Sequence, residues 1–83
     1  MVELSRAVAI AEAEGPEAGL AIVDGLALHG YHYLHSTRGE LLRRLGRVDE
    51  ARDAYTTALG LVHDEAERRL LMRRQAAVRP VAS

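Results

Sequence analysis

The sequence contains no cysteine, phenylalanine, tryptophan or lysine. Without cysteine, the chain can form neither a disulfide framework nor a thiolate zinc site. No apolar run is long enough to suggest a membrane span or a secretory signal, so we expect a cytoplasmic protein. With 2 prolines and 3 tyrosines, the core must be built mainly from aliphatic side chains.

What the sequence does contain is alanine, leucine, valine and arginine. Its 83 residues are 48% hydrophobic, and a chain of this length forms one small domain that buries roughly 60–65% of its unfolded surface. The formal net charge of -1 hides an asymmetry. The charged side chains of residues 1–30 are mainly acidic, whereas residues 31–83 carry all but one of the arginines. The small aliphatic residues are typical of closely packed helices.

Glycine, proline and polar clusters divide the chain into five segments of helical length. We predict an all-α, TPR-like helical-repeat fold with helices over residues 2–14, 16–26, 31–45, 48–62 and from 64 to just before Pro80. In the first helix, Leu4, Val8 and Ala11 recur at helical spacing. The domain is predicted over 1–78, with a degenerate hairpin over 1–28, a TPR-like hairpin over 31–62, a closing helix over 64–78 and a flexible tail over 79–83.

The strongest pattern lies in the stretch GELLRRLGRVDEARDAYTTAL, residues 39–59. Its small and aromatic positions match the second half of the tetratricopeptide repeat, namely Gly39, Gly46, Ala51, Tyr55 and Ala58. Gly46 can adopt the left-handed conformation that ends a helix. Ala51 and Ala58 leave room for a neighbouring backbone, and Tyr55 fills the space between two helices. These positions predict a tightly crossed helical hairpin.

The first half of the chain contains a weaker version of the same pattern. Gly15 corresponds to Gly46, and Gly19 is predicted to be the small residue at a helix crossing. Where the repeat expects large apolar residues, the second hairpin instead has His35 and Arg38. Arg38 therefore indicates either a shifted helix or a guanidinium that lines a pocket, and the neighbouring leucines supply the apolar volume.

Three histidines raise the possibility of a metal site. His32 and His35 are three residues apart and would share a helix face, and His29 precedes them. A zinc site needs a third or fourth ligand in tetrahedral geometry, whereas His29 lies before Gly30 and outside the predicted helix. We therefore favour hydrogen-bonding roles at the hairpin junction and expect neither a metal nor another cofactor.

Arginine pairs raise the possibility of nucleic-acid binding. Adjacent residues point about 100° apart around a helix and need not form one stripe, acidic residues interrupt the pairs, and interleaved aromatic residues that stack on bases are missing. We favour solvated helix faces, then a protein-contact surface, and DNA last. The candidate partner-contact residues are Arg38, Arg43, Arg44, Arg68, Arg69, Arg73 and Arg74.

Catalysis receives little support from the sequence. Ser5, Ser36 and Thr37 could act as nucleophiles, but none comes with a recognisable base and orienting group. No glycine-rich phosphate loop follows a predicted strand. We therefore expect a protein that is not an enzyme.

Three stretches of the chain together carry a family resemblance: SRAVAIAEAEGPEAGLAIVDGL, GYHYLHSTRGELLRRLGRVDEARDAYTTALGL and DEAERRLL. They resemble the C-terminal extension of a group of bacterial extracytoplasmic-function sigma factors. In those proteins, two sigma regions that engage core polymerase and promoter precede a helical, tetratricopeptide-like extension.

The resemblance implies a regulatory or interaction domain of a transcription initiation factor. Its expected partners are the upstream sigma regions, core RNA polymerase or both, and this segment is not expected to bind DNA directly. The alternative is a free-standing TPR-like adaptor that binds a peptide or forms a homodimer through an unpaired helical face. Upstream sigma regions in the same reading frame would favour the first interpretation.

Overall fold

The computed structural model describes residues 2–27 and 29–78. These residues form five α-helices and no β-strand, which confirms the all-α class. The predicted tail over 79–83 lies outside the described residues. The helices are α1 (Val2–Glu14), α2 (Pro16–Asp24), α3 (His32–Arg44), α4 (Val48–Leu61) and α5 (Glu65–Ala77).

The five helices pack as two hairpins and a closing helix. The most extensive contacts join α1 to α2 and α3 to α4, while α2 contacts α3 and α5 rests on α4. The core between them is built almost entirely from aliphatic side chains with one aromatic ring. Its members are Leu4, Ala7, Ala11, Leu20, Val23, Leu34, Leu41, Leu42, Ala51, Ala54, Tyr55, Ala58, Val62, Leu71 and Val78.

Gly46 ends α3 as the sequence predicts. Its φ is 77°, in the left-handed region that glycine adopts without steric cost. The Gly46 N–H donates to the Arg43 carbonyl, and the Arg47 N–H reaches back to the Leu42 carbonyl, each at 3.0 Å. This is the hydrogen-bond pattern of a Schellman motif, and it turns the chain directly into α4.

The crossing of α3 and α4 depends on the contact between Gly39 and Tyr55. A Cβ atom added to Gly39 would lie 2.9 Å from Cε2 of Tyr55, closer than two carbon atoms can pack. Tyr55 is 1% exposed, and Ala51 and Ala58 are fully buried beside it. These residues therefore allow α3 and α4 to cross closely.

In the first hairpin, Gly19 likewise lies at a close crossing of two helices. A Cβ there would lie 2.6 Å from the Ala11 Cβ and 2.8 Å from the Ala7 carbonyl oxygen, so glycine allows α1 and α2 to approach closely. The predicted extension of α2 to residue 26 is wrong by two residues. The N–H of Gly25 turns back to the Ile22 carbonyl, and the helix ends there because glycine favours the coil.

Asp64 caps α5, and its carboxylate accepts a hydrogen bond from the Glu67 N–H at 3.3 Å. This confirms the predicted start of the closing helix. Leu71 is the buried residue within α5, and Val78 is buried just after it. Within the described part of the chain, no helix is both long and apolar enough to cross a membrane.

Candidate functional site

A groove runs along α3 between α1 and α5. It encloses about 260 Å³ and is formed by alternate helices of the chain, so its walls come from both hairpins and the closing helix. The lining residues are Val8, Ala11, His32, Tyr33, Ser36, Thr37, Glu40, Leu41, Arg44, Glu67, Leu70, Leu71 and Arg74.

The centre of this groove exposes apolar side chains. Val8 is 43% exposed, Tyr33 45% and Leu70 38%, and they come from three different helices. The floor beneath them includes Leu41 and Leu71, which are buried. Large apolar side chains gathered in one concave surface make this groove the candidate site of the domain.

The sequence predicts Val8 as part of the apolar face of α1, together with Leu4 and Ala11. Leu4 and Ala11 are buried, whereas Val8 faces the groove. Three helices converge there without a fourth to cover the side chain. The apolar spacing was therefore right for the helix, but it did not distinguish core from groove.

At one end of the groove, a side chain of α3 contacts a side chain of α5. Nε2 of His32 lies 3.1 Å from both carboxylate oxygens of Glu67. Hydrogen bonds from Tyr33 and His32 lower the pKa of Glu67. The same Glu67 carboxylate raises the pKa of Tyr33. The sequence predicts a hydrogen-bonding role for His32 but not its partner, because His32 and Glu67 are 35 residues apart along the chain.

The opposite end is basic and is organised by Glu40. Arg43 donates to the two carboxylate oxygens of Glu40 at 3.0 and 2.6 Å, and Arg44 donates to the same carboxylate at 3.1 Å. The hydrogen bond from Arg43 is the main reason why the pKa of Glu40 is lowered. Arg44 also reaches Glu12 on α1 at 3.1 Å, so it links the two hairpins.

The arginines of α5 have different environments. Arg68 donates to the Leu59 carbonyl at 3.4 Å. Arg69 and Arg73 are exposed and do not line the groove. Arg74 lines the groove and the adjoining cavity beside Tyr55. Within residues 2–27 and 29–78, none of Arg69, Arg73 and Arg74 has a carboxylate at ion-pair distance.

Of the seven candidate partner-contact arginines, the structure thus brings three together at one end of the groove: Arg43, Arg44 and Arg74. The other four lie elsewhere. The sequence pattern indicates Arg74 as one member of an arginine pair. It does not indicate Leu70, which is on the same face of α5 one helical turn earlier. The spacing of Glu67, Leu70, Leu71 and Arg74 was the available signal.

Arg38 lies in a second, polar pocket between α2, α3 and α4. Its Nε donates to Asp24 at 2.8 Å, and the pocket of about 370 Å³ is also lined by Leu34, Asp53 and Thr57. Arg38 is therefore a pocket-lining guanidinium, one of the two predicted options. The helix is not shifted, because Gly39 still faces Tyr55.

The histidines are placed in hydrogen bonds. Nε2 of His35 lies 2.7 Å from the His29 carbonyl oxygen, which fixes the junction between the hairpins, and His32 contacts Glu67. A grouping of three or more histidine and carboxylate side chains suited to a metal ion does not occur among the residues that the structure describes.

Comparison with known proteins finds a relative for part of the chain. No family model matches the chain. No solved structure is significantly similar. Over an alignment of 69 residues that covers 81% of the chain, the identity to part of an uncharacterized protein of Rhizobium meliloti (strain 1021) is 49%. The match spans 16% of that relative, so a homologous segment forms a small part of a much longer polypeptide.

Proposed function

We propose that this chain is a non-catalytic protein-interaction domain that binds a polypeptide segment along the groove between α1, α3 and α5. The observation that carries the proposal is the exposure of Val8, Tyr33 and Leu70 in one concave surface. Burying these side chains against a partner would remove apolar surface from water, at roughly 25 cal/mol per Å². The walls are held by His32–Glu67 at one end and Arg44–Glu12 at the other.

We further propose that the domain is a regulatory extension of an extracytoplasmic-function sigma factor and acts in transcription initiation in the cytoplasm. The resemblance over residues 5–26, 30–61 and 64–71 supports this proposal. The partner would be the upstream sigma regions, core RNA polymerase or both. Regulation would arise if the groove binds its partner in only one of two states of the parent factor.

The ion pairs that several arginines already make favour a protein partner over DNA. Arg43 and Arg44 already pair with Glu40 inside the domain, and Arg38 pairs with Asp24. Phosphate contacts by these residues would therefore compete with existing ion pairs. DNA recognition by a helix also needs a free helix face that enters the major groove, whereas α3 is packed between α1, α2 and α4.

The experiment that tests the sigma-factor role has two steps. The reading frame that encodes this sequence is determined from the native gene, and the domain is then co-purified with the regions encoded upstream of it. We expect sigma regions upstream and a stable complex. A native product that consists of these 83 residues alone would contradict the sigma-factor role and favour the free-standing adaptor.

A further inference from the structure

We infer that the groove binds a segment with a particular polarity: an apolar side chain between Val8, Tyr33 and Leu70, and a carboxylate against Arg74. The inference rests on the proposed interaction function and specifies the chemistry of the partner. It is carried by the distribution of charge along the groove, which differs sharply between the two ends.

The groove is longer than its central cavity. A shallower cavity that includes Tyr31 and Leu4 adjoins it and shares Val8, Tyr33 and Thr37 with it. At the other end, a third cavity shares Glu40, Arg44 and Arg74. Together they follow the 13 residues of α3, which corresponds to about 20 Å. An extended segment of about six residues would cover this length.

Aromatic side chains and an acidic group mark the end of the groove at the start of α3. The rings of Tyr31 and Tyr33 pack edge to face with centroids 5.3 Å apart. Glu67 lies beside Tyr33 and His32. This end therefore suits an apolar side chain and repels a carboxylate.

The opposite end has an excess of positive charge. Oε2 of Glu40 accepts from both Arg43 and Arg44, and Arg44 also pairs with Glu12. These contacts use the two nearby carboxylates and leave Arg74 without one among the described residues. A carboxylate from a partner would pair with Arg74 through a charge-assisted hydrogen bond. The fork of the guanidinium group is well suited to this contact.

The test uses three fluorescent peptides of about eight residues, long enough to cover the groove. Each peptide has a leucine-rich half followed by a half that carries glutamate, glutamine or lysine. Fluorescence anisotropy at physiological salt measures the affinity of the domain for each peptide. We expect the glutamate peptide to bind about two- to fivefold more tightly than the glutamine peptide, since Arg74 is exposed and an exposed ion pair contributes modestly to binding. The lysine peptide should bind most weakly.

Two arginine variants locate the effect. Arg74→Gln should reduce the affinity for the glutamate peptide to that for the glutamine peptide, with no change for the glutamine peptide itself. Arg69→Gln removes the same charge from the same helix outside the groove and should leave all three affinities unchanged. Equal losses in the two variants would show a general charge effect and overturn the inference. Circular dichroism checks that both variants are folded.

The outcomes also separate this inference from the proposed function. If glutamate and glutamine peptides bind alike and Leu70→Ser weakens both, the groove binds peptides but the carboxylate preference is wrong. If none of the peptides binds, the inference is overturned, while co-purification still tests association with sigma regions. Tighter binding of a duplex DNA probe, lost equally in Arg69→Gln and Arg74→Gln and steeply salt-dependent, would also overturn it.

Discussion

At the scale of single residues, Tyr55 is the side chain on which the second hairpin depends. Its ring fills the space that Gly39 leaves open on α3, and Ala51 and Ala58 keep the rest of α4 close to its neighbour. Burial raises the pKa of the Tyr55 hydroxyl, as expected for a phenol removed from water. The spacing predicts this pair because both residues lie within one local hairpin.

Replacing Tyr55 by alanine should lower the free energy of unfolding by about 2–4 kcal/mol, because the change removes buried ring surface and leaves a cavity. Urea denaturation followed by circular dichroism measures the loss. Tyr33→Ala is the matched control: Tyr33 is 45% exposed, and its removal should cost less than about 1 kcal/mol. A loss below half a kilocalorie for Tyr55→Ala would contradict the core role assigned to this residue.

Glu40 makes stability depend on pH at the acidic end of the range. Its folded-state pKa is below the ordinary value of 4.5, first because Arg43 donates a hydrogen bond to it. A group with a lowered folded pKa stabilises the native state above its unfolded pKa, and this contribution is lost as the pH falls through the folded pKa. Since both partners are partly exposed, the effect should stay below about 1 kcal/mol.

Urea midpoints measured from neutral pH to about pH 3 test this assignment. Wild type should lose more stability on acidification than Glu40→Gln, which lacks the titrating group. Glu14→Gln is the control, because Glu14 has no ion pair among the residues that the structure describes, and it should follow wild type. Identical acid profiles for wild type and Glu40→Gln would show that the Glu40 contacts do not persist in solution.

At the scale of helices, α5 has two roles. It covers α4 through Leu71 and, after its last turn, Val78, and it forms one wall of the groove through Leu70 and Arg74. The start of α5 could be predicted, because the Asp64 cap is encoded within four residues. Its role as a groove wall could not, because that depends on how α5 crosses α4.

Leu71→Ala should destabilise the domain by about 2–5 kcal/mol, since Leu71 is 4% exposed and its truncation leaves a cavity under α5. The adjacent Met72 is 53% exposed, and Met72→Ala should change stability by no more than about 0.5 kcal/mol. Chemical denaturation of the two variants compares neighbouring positions of one helix. Equal losses of stability in the two variants would show that α5 does not pack on α4 through Leu71.

For the other helices too, the sequence predicts local features but not the contacts between helices that are far apart along the chain. The limits of α1, α3 and α4 follow from glycine, proline and local apolar spacing, so the sequence predicts them within one residue or so. The groove is formed by helices that are not consecutive. Val8 illustrates the difference, because it has the spacing of a core residue but lies where three helices meet without cover.

At the scale of the whole molecule, ion pairs join the acidic first half of the chain to the basic second half. Arg44 pairs with Glu12 and Arg38 with Asp24, and each pair joins a basic residue of the second hairpin to an acidic residue of the first. Such partly exposed pairs contribute little stability individually. They bridge the two hairpins, and the relative position of the hairpins sets the shape of the groove.

The central claim is that this groove is a protein-binding site, and light scattering tests it most directly. The domain is measured alone and mixed with its proposed partner, the sigma regions expected upstream of it, as wild type and as Leu70→Ser. We predict a complex of one domain with one partner that Leu70→Ser strongly weakens, while Met72→Ser, an exposed change outside the groove, leaves it intact. A complex that forms equally well with both variants would contradict the account.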